Sequence, residues 1–371
     1  MNRPRRILHL IDSYGPGGAE TIFVQLATGL PREDWVSVAS VPREGWVAQA
    51  LRAQGLEPVL IPAHGRFNVG YLRGLINLIR REEVALLHSH LFGAAIYGGL
   101  AARICRIPIV STLHGEPDLP GSRRTAAPRF AALNLTGNEM VLVSGALREA
   151  FHRQGRFPRD RSRVIYNGID LETFAPGPGT RVRRELGVGP DDILIGAVGN
   201  FRPAKALDDF VRTARLLADR DDRYRFLIAG EPDDTIFPEV RTLRDELGLA
   251  GRLHFLGYRE DVTEVLRALD MYASSSLQEG FSLTVIQAMA VGTPVVATRS
   301  GGPEEILTDG VTGLLVPPGV PAKLAAAVHQ LWKDEPRRRR LKGRAQAAVS
   351  DRFRLGRMLA EYQDLYRALL E

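Results

Sequence analysis

The chain has 371 residues, 44% hydrophobic and 25% charged, which excludes a disordered or fibrous protein and predicts two globular domains rather than one small core. Its single cysteine, Cys105, excludes an intramolecular disulfide and a cysteine metal cluster, and makes a reducing cytoplasm the simplest expected compartment. The net charge of +6 lies wholly in residues 1–175, with 21 basic and 15 acidic residues against 28 and 28 in 176–371.

Every basic residue of that first half is arginine, which reads either as a solvated surface or as a peripheral face for anionic lipid or an anionic acceptor. Nucleic acid is not expected, because no aromatic residues interleave with these arginines. At the N-terminus Asp12 interrupts the apolar run early and no small-residue cleavage site follows, so the run reads as a first strand. Arg103 and Arg106 break the apolar segment 91–113 before it reaches membrane-spanning length.

In chain order, strands are predicted at 7–11, 36–41, 58–61, 85–88, 109–112, 141–144 and 163–166, with helices between most of them. A second series follows at 193–198, 225–229, 253–256, 271–275, 294–297 and 314–316. This alternation predicts α/β architecture with two Rossmann-like parallel sheets. The proline- and glycine-rich run Phe174-Ala175-Pro176-Gly177-Pro178-Gly179 places a linker between domains 1–175 and 176–353.

The first strand leads through Gly15-Pro16-Gly17-Gly18-Ala19-Glu20 into a helix, where paired glycines at a helix start let a ligand approach the backbone. His88-Ser89-His90 ends a strand, but the sequence offers no further ligand at metal spacing, so no metal site is expected. His114 also ends a strand. In the second half, Asn200, Arg202 and Lys205 join a strand to a helix, where cations suit a diphosphate. Arg202, two residues after Asn200, is expected on the same side of an extended segment. Asp261, after Arg259, reads either as an N-cap or as part of a base site. Asp219 and Asp221 have D-x-D spacing but read as solvated charge.

From Glu279 the chain turns at Gly280 into a helix beginning at Phe281, Ser282 and Leu283, whose free N–H groups favour an anion. A second turn, Arg299 to Glu305, follows the next strand, and the two are expected to form a crevice. Together they resemble the donor segment of the retaining family 4 glycosyltransferases. Glu279 matches the family's first glutamate, residues 288–297 match its A-M-A-x-G-x-P-V-V-A run, and Gly301-Gly302 its glycine turn. Gln287 stands where the family has a second glutamate, and Asn200 where it has an arginine.

The resemblance implies the GT-B fold, two Rossmann-like domains facing each other across a donor/acceptor cleft, with residues 354–371 a helix returning to the first domain. It also implies a metal-independent, retaining hexosyltransferase that uses a nucleoside-diphosphate sugar as co-substrate, with no cofactor, and a glycan, lipid-linked or small-molecule acceptor. His114, Arg202, Lys205 and Glu279 are its expected catalytic residues. Gly17, Gly18, Asn200, Arg259, Gly280, Phe281, Ser282, Leu283 and Gln287 are its expected ligand contacts. A nucleotide-sugar epimerase of similar fold, or a sugar-nucleotide-binding subunit without turnover, are the alternatives.

Overall fold

The computed structural model describes residues 3–63, 68–115, 119 and 123–371; Glu116, beside His114, lies outside them. The chain forms two compact units, Met1–Asn167 with Gly356–Glu371, and Gly168–Leu355.

The first unit is built on strands β1 (Arg5–Ile11), β2 (Trp35–Val41), β3 (Val59–Leu60), β4 (Leu86–His90), β5 (Ile109–Leu113), β6 (Glu139–Leu142) and β7 (Ser162–Val164). The second uses β8 (Ile193–Val198), β9 (Tyr224–Ala229), β10 (Leu253–Phe255), β11 (Met271–Ser274), β12 (Val295–Thr298) and β13 (Leu314–Val316). The orders are β3-β2-β1-β4-β5-β6-β7 and β10-β9-β8-β11-β12-β13. Neighbouring strands are parallel throughout, as in β1 with β4 and β8 with β9.

Strands such as Ile193–Val198 read as apolar runs because helices cover both faces of the sheet. The helix Leu207–Ala218 buries Leu207, Phe210, Val211, Ala214, Leu217 and Ala218, the apolar stripe of a 3.6-residue period. Strand ends shift from expectation where a side chain has a better use. Ser144, read as the end of a strand, instead caps the helix Gly145–Gln154 by accepting from the Leu147 N–H, and β6 ends at Leu142. Each sheet reverses its order beside its first strand, between β1 and β4 and between β8 and β11. Loops leaving the carboxyl ends at such a point form a natural ligand crevice.

The chain leaves the first unit at Asn167 and returns at Gly356, so the expected boundary at 175/176 is misplaced. The proline- and glycine-rich run is packed into the second unit: Arg267 Nε donates to the Ala175 carbonyl at 2.9 Å, and a Cβ on Gly179 would come within 2.1 Å of Ala268 N. Glycine there permits close packing rather than flexibility. The C-terminal helix Leu355–Leu370 buries Tyr362 and Tyr366 in the first unit. No helix among the described residues is long and apolar enough to cross a membrane.

Gly179→Ala is therefore expected to destabilise the protein by about 1–3 kcal/mol in chemical denaturation, the range for overpacking. Gly177→Ala, facing the flexible Arg267 side chain at 2.9 Å, is expected to cost clearly less. Equal, negligible effects at both positions would restore the linker reading.

Candidate active site

At the switch point of the second unit, β8 leads through Gly199 to a 3-10 turn, Pro203–Lys205, and β11 leads through Ser275 to the helix Leu283–Val291. These loops bring together residues far apart in sequence. Lys205 Nζ donates to Glu279 Oε1 at 2.6 Å, and Ser276 Oγ donates to the same oxygen at 2.7 Å. Only 23% of the Lys205 side chain and 10% of that of Glu279 are exposed, so this is an ion pair largely withdrawn from water. Such a pair persists only with its polar neighbours satisfied. Ser275 Oγ shares its proton between the carbonyls of Lys205 and Ala206, at 3.0 and 2.9 Å, and Thr298 Oγ1 donates to the Ser276 carbonyl. The sequence reading missed these serines, although three in a row at a strand end, Ser274 to Ser276, were the available signal.

The two turns expected to wall a crevice are instead joined to each other. Glu279 N–H donates to the Ser300 carbonyl at 2.8 Å and Gly302 N–H to the Glu279 carbonyl at 2.9 Å. A Cβ on Gly302 would lie 2.8 Å from Phe281 Cα, and Gly301 has φ +100°, so the glycine pair is what lets the turns meet. Ser282, the N-cap of the following helix, is buried, and its Oγ makes no hydrogen bond among the described residues. Leu283, Thr284 and Gln287 form the half-open stripe of this helix, while Val285, Ile286, Ala288, Met289 and Ala290 are buried.

Other expected site residues fall differently. Arg202 has the extended backbone expected of it, is exposed and forms no ion pair among the described residues, while the 3-10 turn Pro203–Lys205 that follows carries Lys205 to Glu279. Asn200 Oδ1 accepts from the Glu231 N–H at 3.1 Å and braces the loop after β9. Arg259 is bound to Glu185 at 2.6 Å and Asp261 at 2.8 Å, so its guanidinium is tied into an ion network rather than standing open to a ligand. Asp261, held down to about 2 chiefly by Arg259, bonds to Arg259 and Arg181 and caps no helix with its side chain. Asp219 and Asp221 pair with Arg215 and Arg223.

In the first unit Gly17 caps the helix Gly18–Gly29, and a Cβ there would lie 2.2 Å from Glu20 Oε2, so the glycine makes room for a buried carboxylate. His88 and His90 lie on one face of β4, and His9 on β1 pairs with His88 in register. The expectation that the pair has no third partner is thereby corrected: one ring nitrogen from each of His9, His88 and His90 lies within 4.8 Å of the others. The donor set nevertheless suits a cation poorly. Both His88 nitrogens are engaged, Nδ1 with Tyr366 at 2.6 Å and Nε2 with Thr112 at 2.8 Å, and among the described residues no carboxylate joins the group. Burial pushes His9 and His114 down to about 3 and His88 and His90 well below the usual range, so all four are neutral near pH 7. His114 bonds to His90, Nε2 to Nδ1, at 3.0 Å.

Comparisons with known proteins bear on this geometry. The Glycosyltransferase Family 4 model matches residues 16–173 and the Glycosyl transferases group 1 model residues 192–334. The D-inositol 3-phosphate glycosyltransferase of Corynebacterium glutamicum is 31% identical over 361 residues, covering 88% of this chain and 85% of its own. This chain belongs to the family 4 glycosyltransferases.

The N-acetyl-alpha-D-glucosaminyl L-malate synthase of Bacillus anthracis is 28% identical over 300 residues, with 80% of this transferase and 78% of that enzyme covered. In structure, Anabaena HepE in complex with UDP-glucose superposes with a TM-score of 0.87 at 24% identity, over 98% of the transferase and 99% of HepE. A Rickettsia africae glycosyltransferase gives 0.87 at 20% identity over the full length of both chains. The transferase thus has the GT-B class of α/β fold.

The histidines carry a pH dependence. Folding lowers their pKa from 6.5, so they favour the folded state above pH 6.5 and lose that contribution as pH falls toward about 3. Stability from denaturant titrations is expected to fall across that window by up to about 1.4 kcal/mol per pH unit for each histidine. His9→Phe is expected to flatten the slope; an unchanged slope would show that His9 is not held neutral by folding.

Proposed function

We propose that the transferase is retaining and metal-independent, and moves a hexose-type sugar from a nucleoside-diphosphate sugar to a glycan, lipid-linked or small-molecule acceptor. The observation that supports this reading most is the Lys205–Glu279 pair at the switch point, next to a helix start whose capping Ser282 Oγ is buried without a partner. Lysine has three N–H donors, and one goes to Glu279, leaving two for diphosphate oxygens. Both Glu279 bonds fall on Oε1, so Oε2 is available to sugar hydroxyls.

In this reading the charge that grows on the departing diphosphate is met by Lys205, by the exposed Arg202, and by the N–H groups and dipole of the helix beginning at Ser282. The leaving phosphate takes the acceptor's proton as the acceptor oxygen attacks from the same face, and retention follows. His114, which follows β5 in the first unit, orients the sugar. Gln287, on the open stripe of the helix, offers the ribose a carbonyl acceptor and an NH₂ donor. The UDP-glucose bound by HepE and the inositol phosphate and malate named for the relatives agree with this substrate class.

Release of nucleoside diphosphate that requires an acceptor, screened over UDP-, GDP- and ADP-sugars, tests the reaction. Lys205→Ala is expected to lose about 10²–10³ in kcat with the fold retained by thermal melting. A near-normal rate would remove Lys205 from the reaction. Gln287→Ala is expected to weaken donor binding about tenfold in calorimetry, the loss of one hydrogen bond to a hydroxyl, and Gln287→Glu to match or exceed the native affinity. Native affinity in Gln287→Ala would place the ribose elsewhere.

A further inference from the structure

We propose that Glu20 and the start of the helix Gly18–Gly29 bind a hydroxyl group of the acceptor, so that the acceptor presents a neutral polyol at this point rather than a phosphate or a carboxylate. The proposal rests on the transferase reading above.

Glu20 is only 7% exposed, and a glutamate is almost never buried so far without a partner. Yet among the described residues it forms no ion pair, and its carboxylate accepts no hydrogen bond. The same spacing in the second unit shows what this side chain forgoes. In Gly301-Gly302-Pro303-Glu304 the exposed Glu304 accepts from the Gly301 N–H at 2.8 Å and closes the helix start. In Gly17-Gly18-Ala19-Glu20 that bond is missing, although the carboxylate is folded back over the N-cap, its Oε2 2.2 Å from where a Cβ on Gly17 would stand. Unlike Ser282 Oγ, the Glu20 oxygens are not sealed in, so the accessible remainder of the residue includes its acceptor atoms. Beside them the N–H groups of Gly18, Ala19 and Glu20 have no acceptor among the described residues, and Gly18 is exposed. This helix follows β1, next to the reversal of strand order where a crevice is expected.

One turn of helix thus offers a charged acceptor and several donors. A phosphate or carboxylate would suit the N–H groups and the helix dipole but would meet the charge of Glu20. An ammonium group would suit Glu20 and leave the N–H groups unmet. A hydroxyl donates to the carboxylate and accepts from an N–H, so it alone serves both.

Backbone ¹H–¹⁵N spectra of the ¹⁵N-labelled protein, titrated with glycerol, D-glucose and D-galactose and separately with inorganic phosphate, test this. The Gly18 and Ala19 signals are expected to move with at least one of the polyols and to stay in place with phosphate. In Glu20→Gln the affinity for that polyol is expected to fall about tenfold, the scale of weakening a hydrogen bond to a charged group. With the acceptor found by nucleoside-diphosphate release, the same variant is expected to raise the acceptor KM about tenfold and to change the donor KM less than about twofold. If Glu20→Gln does not fold, the native titrations decide. Signals that answer to none of the polyols, that answer to phosphate instead, or that respond equally in Glu20→Gln overturn the proposal, as does a KM change confined to the donor. Calorimetry with UDP-, GDP- and ADP-glucose tests the transferase reading separately: donor binding without a polyol response at Gly18 removes this subsite alone.

Discussion

The second unit is arranged around a lysine and a carboxylate that meet largely out of water. Burying either charge alone would cost several kcal/mol, and Lys205 and Glu279 are held against each other with the Ser276 hydroxyl donor alongside. That requirement propagates outward. Ser275 must hold the turn that carries Lys205, Ser276 must cap the carboxylate, and Thr298 must hold Ser276. Gly302 must let the next turn reach back and bond to Glu279's backbone. The sheet order makes the meeting feasible, since β8 and β11 are neighbours although most of a Rossmann half lies between them in sequence.

The first unit repeats the topology with a different chemistry. Its switch point carries imidazoles instead of an ion pair, and burial keeps them neutral. Neutral histidines need directional partners rather than countercharges. They find them in one another, in Thr112, and in Tyr366 of the C-terminal helix. That helix therefore supplies hydrogen-bonding groups to the floor of the first sheet as well as covering apolar surface, and Tyr362 adds a bond to Thr112 at 3.1 Å.

Much of this was legible in the chain itself. The alternation of apolar strand runs with helical stripes is set by local periodicity, and all thirteen strands stand close to where that periodicity puts them. Lys205, Glu279, Ser282 and the glycine pair at 301–302 lie at strand-to-helix turns, which local signals mark well. The failures share a cause. The run 174–179 has the composition of a linker, yet its glycines serve contact with Ala268 and Arg267, and composition does not distinguish room to move from room to pack. Arg259 looks like a free cation until Glu185, far away in sequence, is brought beside it.

What the sequence determined by itself is the kind and order of the elements and the family to which the donor segment belongs, because both depend on residues close together along the chain. What only the tertiary structure decided is which side chains share a partner. His9 joins His88 through strand register, Tyr366 closes on His88 from 278 positions away, and Lys205 is paired rather than free. Those outcomes depend on strand order and on which groups water must leave, and neither is written in any local stretch of residues.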